Sequence, residues 1–199
     1  MALQDVADAI EESSRKHRDR LIAVYIGVLA VLLAICGVGS GNAMKDATAR
    51  NIEASNTWAF FQAKNIRRHE LRLQMAEFEV MLAAQPALPE AARKLIDEKL
   101  AAYKHDAERL SSEPDTGEGL KELLIKGKAL EKERDTAMLR DPYFDYGQAL
   151  LQIAIVLASV AIIAGGNSLL VLSALLGALG TASTLNGFFL FWVPLPLAG

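Results

Sequence analysis

Charge is absent from two long stretches of this chain, residues 21–44 and residues 146–199, which are 24 and 54 residues long. A helix rises about 1.5 Å per residue and bilayer hydrocarbon takes about 20 apolar residues to cross, so the first stretch provides one crossing and the second two. The same absence disfavours a pump or coupled transporter, whose ion and proton paths need ionisable groups at depth. Proline is missing from residues 1–85, and the six present stand at 86, 89, 114, 142, 194 and 196. Helices therefore belong between those positions, and nothing forbids a nearly continuous one from residue 3 to residue 84. The single cysteine, Cys36, lies inside the first apolar run. It excludes a disulfide framework within the chain and reads as a small packing residue, since Ile35 stands where lipid attachment would need a small one.

Motifs that carry chemistry are also missing. His17, His69 and His105 are far apart, with no Glu-x-x-His or His-x-x-x-His pair, which removes the ligand spacing of di-metal helical bundles. His69 beside Glu70 reads as part of a solvated helix face. The glycines at 37, 39 and 41 have no following Lys-Ser or Lys-Thr and form no phosphate loop. We expect no catalytic residue, no cofactor, no metal and no enzymatic activity. Residues 1–20 hold four Lys/Arg against five Asp/Glu, residues 45–145 hold 17 against 19, and the isoelectric point is near 5.7. Such mixed charge offers no basic face, so nucleic acid is not an expected partner. No strand-period alternation appears, and the expected fold class is all-α: an integral membrane protein with three transmembrane helices and a helical, coiled-coil-like extramembrane hairpin or bundle.

A charged N-terminal segment, 1–20, leads into the first span at 21–44. The run Gly39-Ser40-Gly41-Asn42-Ala43 is similar to a processing site, but the preceding segment is rich in acids and the apolar run is longer than a signal core, so we read an uncleaved signal anchor. Three glycines cost about 1 kcal/mol each against alanine in a helix, which predicts a bend at the membrane exit. The segment 45–145 reads as helices over about 46–84, 89–111 and 118–140. On the first, Ile52, Ala59, Ile66, Leu73 and Val80 recur every seven residues beside a second stripe of Leu71, Met75, Phe78 and Leu82, forming a coiled-coil-like face. A proline-bearing turn at 85–89 sends back a second helix with Ala92, Ile96, Leu100, Tyr103, Ala107 and Leu110 on one face. A turn at 111–117 precedes the third, with Leu120, Leu123, Leu124, Leu130 and Met138, which Asp141-Pro142 should end.

Tyr143, Phe144 and Tyr146 have the composition of a headgroup-region entry. The second apolar stretch divides at Gly165-Gly166-Asn167 into a second span at 146–164, a tight turn at 165–167 and a third span at 168–192, with a tail at 193–199. Phe188, Phe189, Phe191 and Trp192 form an exit belt, and Pro194 and Pro196 stop the helix. Small residues at packing intervals are candidates for close helix contact: Gly37 and Gly41 on the first span, and Ser173, Gly177 and Thr181 beside Ala174, Ala178 and Ala182 on the third. Arg15, Lys16, Arg18 and Arg20 abut the first span, whereas the later basic residues belong to a segment too long to set topology. The N-terminus should be cytoplasmic and the middle segment extracytoplasmic.

The most distinctive string is Asn56-Thr57-Trp58-Ala59-Phe60-Phe61-Gln62-Ala63-Lys64-Asn65-Ile66-Arg67. Three aromatics in four residues cannot share one helix face, so this segment should be packed on more than one side or lie at the lipid surface. Asn56, Trp58, Phe61, Gln62 and Lys64 are candidates for an assembly contact or an interfacial anchor. With this string the chain resembles a bacterial family of uncharacterised membrane proteins that have one span, a helical segment opening on an Asn-x-Trp-x-aromatic-aromatic-Gln-Ala-Lys string, and a closing two-span hairpin. The resemblance implies an architecture in the bacterial inner membrane and no activity. Members carry basic residues in the hairpin turn, where this chain has Gly165-Gly166-Asn167. The expected role is self-association or service as an accessory or scaffold subunit, with lipids and copies of itself or other membrane subunits as partners. The alternatives are an oligomeric passive pore and, behind it, a lipid-handling protein or enzyme.

Overall fold

The computed structural model describes residues 2–192, with side chains from residue 12 onward, so Pro194, Pro196 and the tail 193–199 lie outside the described residues. Among the described residues there are four helices and no strand: α1 Ala2–Ala84, α2 Glu90–Ser111, α3 Leu120–Ala164 and α4 Asn167–Phe189. The fold is all-α. α1, α3 and α4 are long and apolar enough to cross a membrane. The chain divides into two compact units, Met1–Ala47 with Asp135–Gly199, and Thr48–Arg134.

In the first unit, small residues bring α1, α3 and α4 together. α1 buries Ile22, Leu29, Cys36 and Ala43, seven residues apart; α3 buries Ala137, Phe144, Leu151 and Ala158 at the same interval. α4 buries Ser173, Gly177, Gly180, Thr184 and Gly187, at steps of four and three. Such 3.5-residue seams are those of helices that cross at small angles with ridges in grooves. Phe144, 1% exposed, is the largest fully buried side chain. Its ring occupies a notch between two glycines: a Cβ on Gly39 would come within 2.5 Å of the ring, and one on Gly187 within 2.9 Å. Phe188 meets the same ring edge-on at 4.9 Å. The buried hydroxyl and thiol groups of the unit are paired, while Arg140 Nε is buried without a hydrogen-bond partner. Ser173 donates to the Ala154 carbonyl at 2.6 Å with Tyr25 Oη 3.3 Å away, and Cys36 Sγ lies 3.1 Å from the Phe144 carbonyl.

Three expectations are corrected here. Asp141-Pro142 does not end a helix, because Pro142 lies inside α3. Proline removes one donor, but the residues beside it are fixed from outside: Ser40 donates to Asp141 Oδ1, Ser183 to the Tyr143 carbonyl, and the Phe144 ring is locked in its notch. Residues 37–42 are helical throughout, and the packing glycine among them is Gly39; a Cβ at Gly37 or Gly41 would meet nothing within 4 Å. The helix expected to run to 192, α4, stops at Phe189. Leu190 adopts a left-handed conformation, and the Asn186 side chain accepts from the Trp192 N–H at 2.8 Å and donates to its carbonyl at 2.7 Å. The connection between α3 and α4 is Gly165 and Gly166, since Asn167, placed in the turn by the sequence, already belongs to α4; Gly165 has a φ of +67° that favours glycine.

The second unit contains the rest of α1, all of α2 and the start of α3. α2 turns inward the face expected of it, with Ile96 and Ala107 buried and Tyr103 stacked on Phe78 of α1 at 6.1 Å. α3 contributes Leu120, Leu123 and Leu130, while Leu124 and Met138, expected with them, are exposed. The two stripes of α1 separate: Leu71, Met75, Phe78 and Leu82 are half-buried, whereas Ile52, Ile66, Leu73 and Val80 are 52–68% exposed. The heptad stripe is therefore not the face that packs inside the chain.

Two glycines two residues apart give a direct test of the notch. Gly39→Ala should lower the melting temperature of the detergent-solubilised protein, because overpacking a filled site costs about 1–3 kcal/mol. Gly37→Ala should leave it unchanged or raise it, by up to about 1 kcal/mol from helix propensity. Equal behaviour of the two variants would show that Phe144 is not seated at Gly39.

Candidate functional site

The aromatic-polar string occupies three turns of α1 in the second unit. A helix presents residues three and four apart on one side, so Trp58 and Phe61 lie together, with ring centroids 5.6 Å apart and edge to face. That side points at α3. Trp58 Nε1 donates to Glu131 Oε1 at 2.9 Å, and its indole covers Gly127, where a Cβ would come within 2.9 Å of the ring. Lys64, one helical turn beyond Phe61, is buried. Its Nζ donates to the Glu118 carbonyl at 2.7 Å, lies 3.3 Å from Glu118 Oε2 and 3.9 Å from Glu113 Oε2, and sits 4.8 Å over the Phe60 ring. One ammonium thus ties α1 to the loop between α2 and α3. Burying it is tolerable because carbonyl, carboxylate and ring face together replace its hydration.

Trp58 was expected as an interfacial anchor or an inter-subunit contact, and Lys64 beside it. The structure places both inside the chain, with Phe61 half-buried next to them. Asn56 and Gln62 are exposed. Of the candidate packing residues, Ser173 and Gly177 are buried on α4, whereas Thr181 is half-buried and returns its hydroxyl to the Gly177 carbonyl at 2.7 Å. The α4 seam follows steps of four and three, which leads from Gly177 to Gly180 and Thr184 instead of to Thr181; Ala174, Ala178 and Ala182 are exposed.

Glu122 is a residue that sequence reasoning missed. It stands in the first turn of α3, where its carboxylate accepts from Ser112 Oγ at 2.8 Å and from the Glu113 N–H at 3.1 Å. The Ser112 hydrogen bond chiefly holds its pKa below the usual carboxylate range, with further lowering from the Glu113 N–H and nearby Lys121. The signal was available in part, since an acid in the first helical turn is favoured by the helix dipole; its partners ten and nine residues earlier were not. Three outward pairs complete the electrostatics: Arg50 reaches Glu53 at 3.0 Å and Glu133 at 2.9 Å, and Arg109 reaches Glu113 at 4.0 Å. Among the described residues no group of His, Cys, Asp and Glu is arranged to hold a metal ion.

The chain belongs to the family described as a domain of unknown function, DUF4337, whose pattern matches residues 18–190. No curated protein and no solved structure matches it.

The Glu122 contacts predict a pH dependence. A carboxylate whose folded pKa is depressed stabilises the fold above its unfolded value, near 4.5, and loses that contribution as pH falls through the folded value. Thermal melts of the unaltered protein and of Glu122→Gln should therefore differ at pH 7 and converge as the pH falls from about 4.5 through the lower folded value. A difference that stays constant down to pH 3 would show that these hydrogen bonds do not favour the charged form.

Proposed function

We propose that this protein is a non-enzymatic, three-span membrane protein of the bacterial inner membrane that carries a stiff helical unit on its extracytoplasmic side and acts as a scaffold, by associating with copies of itself or with another membrane subunit. One observation carries this reading: the polar groups that the site draws inward are engaged with residues of the same chain, Trp58 with Glu131 and Lys64 with Glu118. Groups held that way stiffen a unit and are not free to act on a substrate, while the opposite side of the same helix keeps exposed apolar residues. Membrane insertion is supported by three helices of sufficient length and apolar character.

Arg18 supports the orientation. Its Nη1 donates to the Gly165 carbonyl at 3.0 Å, which sets the α3–α4 turn beside the basic cluster of Arg15, Lys16, Arg18 and Arg20. Both then face the cytoplasm under the positive-inside rule, and residues 48–134 face away from it.

Two measurements test the proposal. In a background lacking Cys36, a cysteine placed at Glu98 should react with a membrane-impermeant thiol reagent in intact cells; labelling only after lysis would reverse the sides. Protein extracted from native membranes in mild detergent should have a mass above that of one 21.5 kDa chain, after subtraction of bound detergent. A single chain with no accompanying membrane protein would contradict a scaffold.

A further inference from the structure

The α1 stripe that the second unit leaves bare has the geometry of a second coiled-coil seam. Ile52, Ala59, Ile66, Leu73 and Val80 repeat every seven residues over four heptads, and all five are exposed. The residues three places after them include Gln62, His69 and Ala76, also exposed, which completes the three-four alternation of a seam. The opposite face of the same helix, through Ala54, Thr57, Lys64 and Phe78, is occupied within the chain. α1 is therefore two-faced, and intrachain packing leaves the heptad face without a partner.

We infer that this face is the contact between two copies of the chain, paired as a parallel, in-register coiled coil. The inference rests on the membrane reading above, since copies that cross one bilayer with the same topology run α1 in the same direction. The charges agree with that direction. In a parallel pair, each residue that precedes a core position by one lies beside the residue five places on in the other helix. Arg72, just before Leu73, then meets the second copy's Glu77, and symmetry forms the pair twice; both side chains are exposed. The other pairings of this kind join Asn51 to Asn56, Trp58 to Ala63, Asn65 to Glu70 and Glu79 to Ala84, so no like charges meet. An antiparallel pair would set Glu70 against the second copy's Glu77 on one flank and Arg72 against Glu79 on the other, whereas the parallel pair has no like-charge contact. A seam shifted by one residue, through Asn56, Ala63, Glu70 and Glu77, would bury two glutamates against their own counterparts and is excluded by that repulsion. In register, Gln62 faces the second copy's Gln62, whose amide can both donate and accept. This gives the exposed half of the string a role: Trp58 and Lys64 brace the helix from inside and Gln62 belongs to the contact.

The full chain, with Cys36 replaced by Ala, tests this in native membranes through single cysteines. Under mild oxidation Ile52→Cys, Ile66→Cys and Val80→Cys should each give disulfide-linked dimers, because identical core positions of a parallel pair face one another. Gln74→Cys, exposed but off the seam, should not. Adding Arg72→Glu to Ile66→Cys should reduce the linked fraction about tenfold, and adding Glu77→Arg as well should restore it by reversing both members of the pair. Linkage at Gln74→Cys equal to the seam positions, linkage only when Ile52→Cys and Val80→Cys chains are mixed, or indifference to Arg72→Glu would overturn the proposal. An absence of linkage along the seam in protein that still extracts as an oligomer would sink this interface and leave self-association standing. An absence of linkage in protein that extracts as a single chain would sink both.

Discussion

The packing of α1, α3 and α4 depends on the seat of one aromatic ring. Phe144 is almost wholly buried, and it fits because Gly39 and Gly187 lack the Cβ atoms that would occupy the same space. Where the ring sits, helix axes can approach and the surrounding polar groups fall within bonding distance: Cys36 reaches the Phe144 carbonyl, Ser183 the Tyr143 carbonyl and Ser40 the Asp141 carboxylate. These contacts flank Pro142 and explain why α3 passes through a proline. A water-excluding phase offers little hydrophobic gain between apolar helices, so close approach through small residues and paired hydroxyls is what holds such a bundle.

Another constraint operates in the second unit, where charge replaces oil. Lys64 collects the loop between α2 and α3 onto α1, and Glu122 collects the end of α2 onto the start of α3. With Trp58 laid across Gly127, these contacts secure one face of α1 and leave the other bare. The proposed scaffold role follows from that division of one helix into a braced side and an available side.

How much of this was legible in the sequence depends on whether the signal was local. The α3–α4 turn was readable because Gly165 needs a left-handed backbone and the neighbouring residues stop being purely apolar. The inward face of α2 was readable from its three-four spacing. Pro142 was misread because its effect is decided by Ser183 and Gly187 from α4 and Ser40 and Gly39 from α1. Gly39 was passed over for Gly37 and Gly41 because a glycine has no side chain to mark the face it belongs to. The two stripes of α1 share one heptad period, and periodicity shows that a face is apolar without showing what covers it. Trp58 read as an interfacial anchor or an assembly contact, and its partners within the chain were not legible because Gly127 and Glu131 lie about 70 residues away.

The central claim is that Phe144 and Gly39 are one interaction, and a double-mutant cycle measures it most directly. Gly39→Ala, Phe144→Ala and the double variant would be unfolded reversibly in the same detergent. If the ring fills the glycine notch, the Cβ added at position 39 does most of its damage while the ring is present, its other close neighbour being the Phe188 ring at 2.9 Å. The cost of Gly39→Ala should then fall by more than about 1 kcal/mol in the Phe144→Ala background. Additive costs, within about 0.5 kcal/mol, would contradict the account.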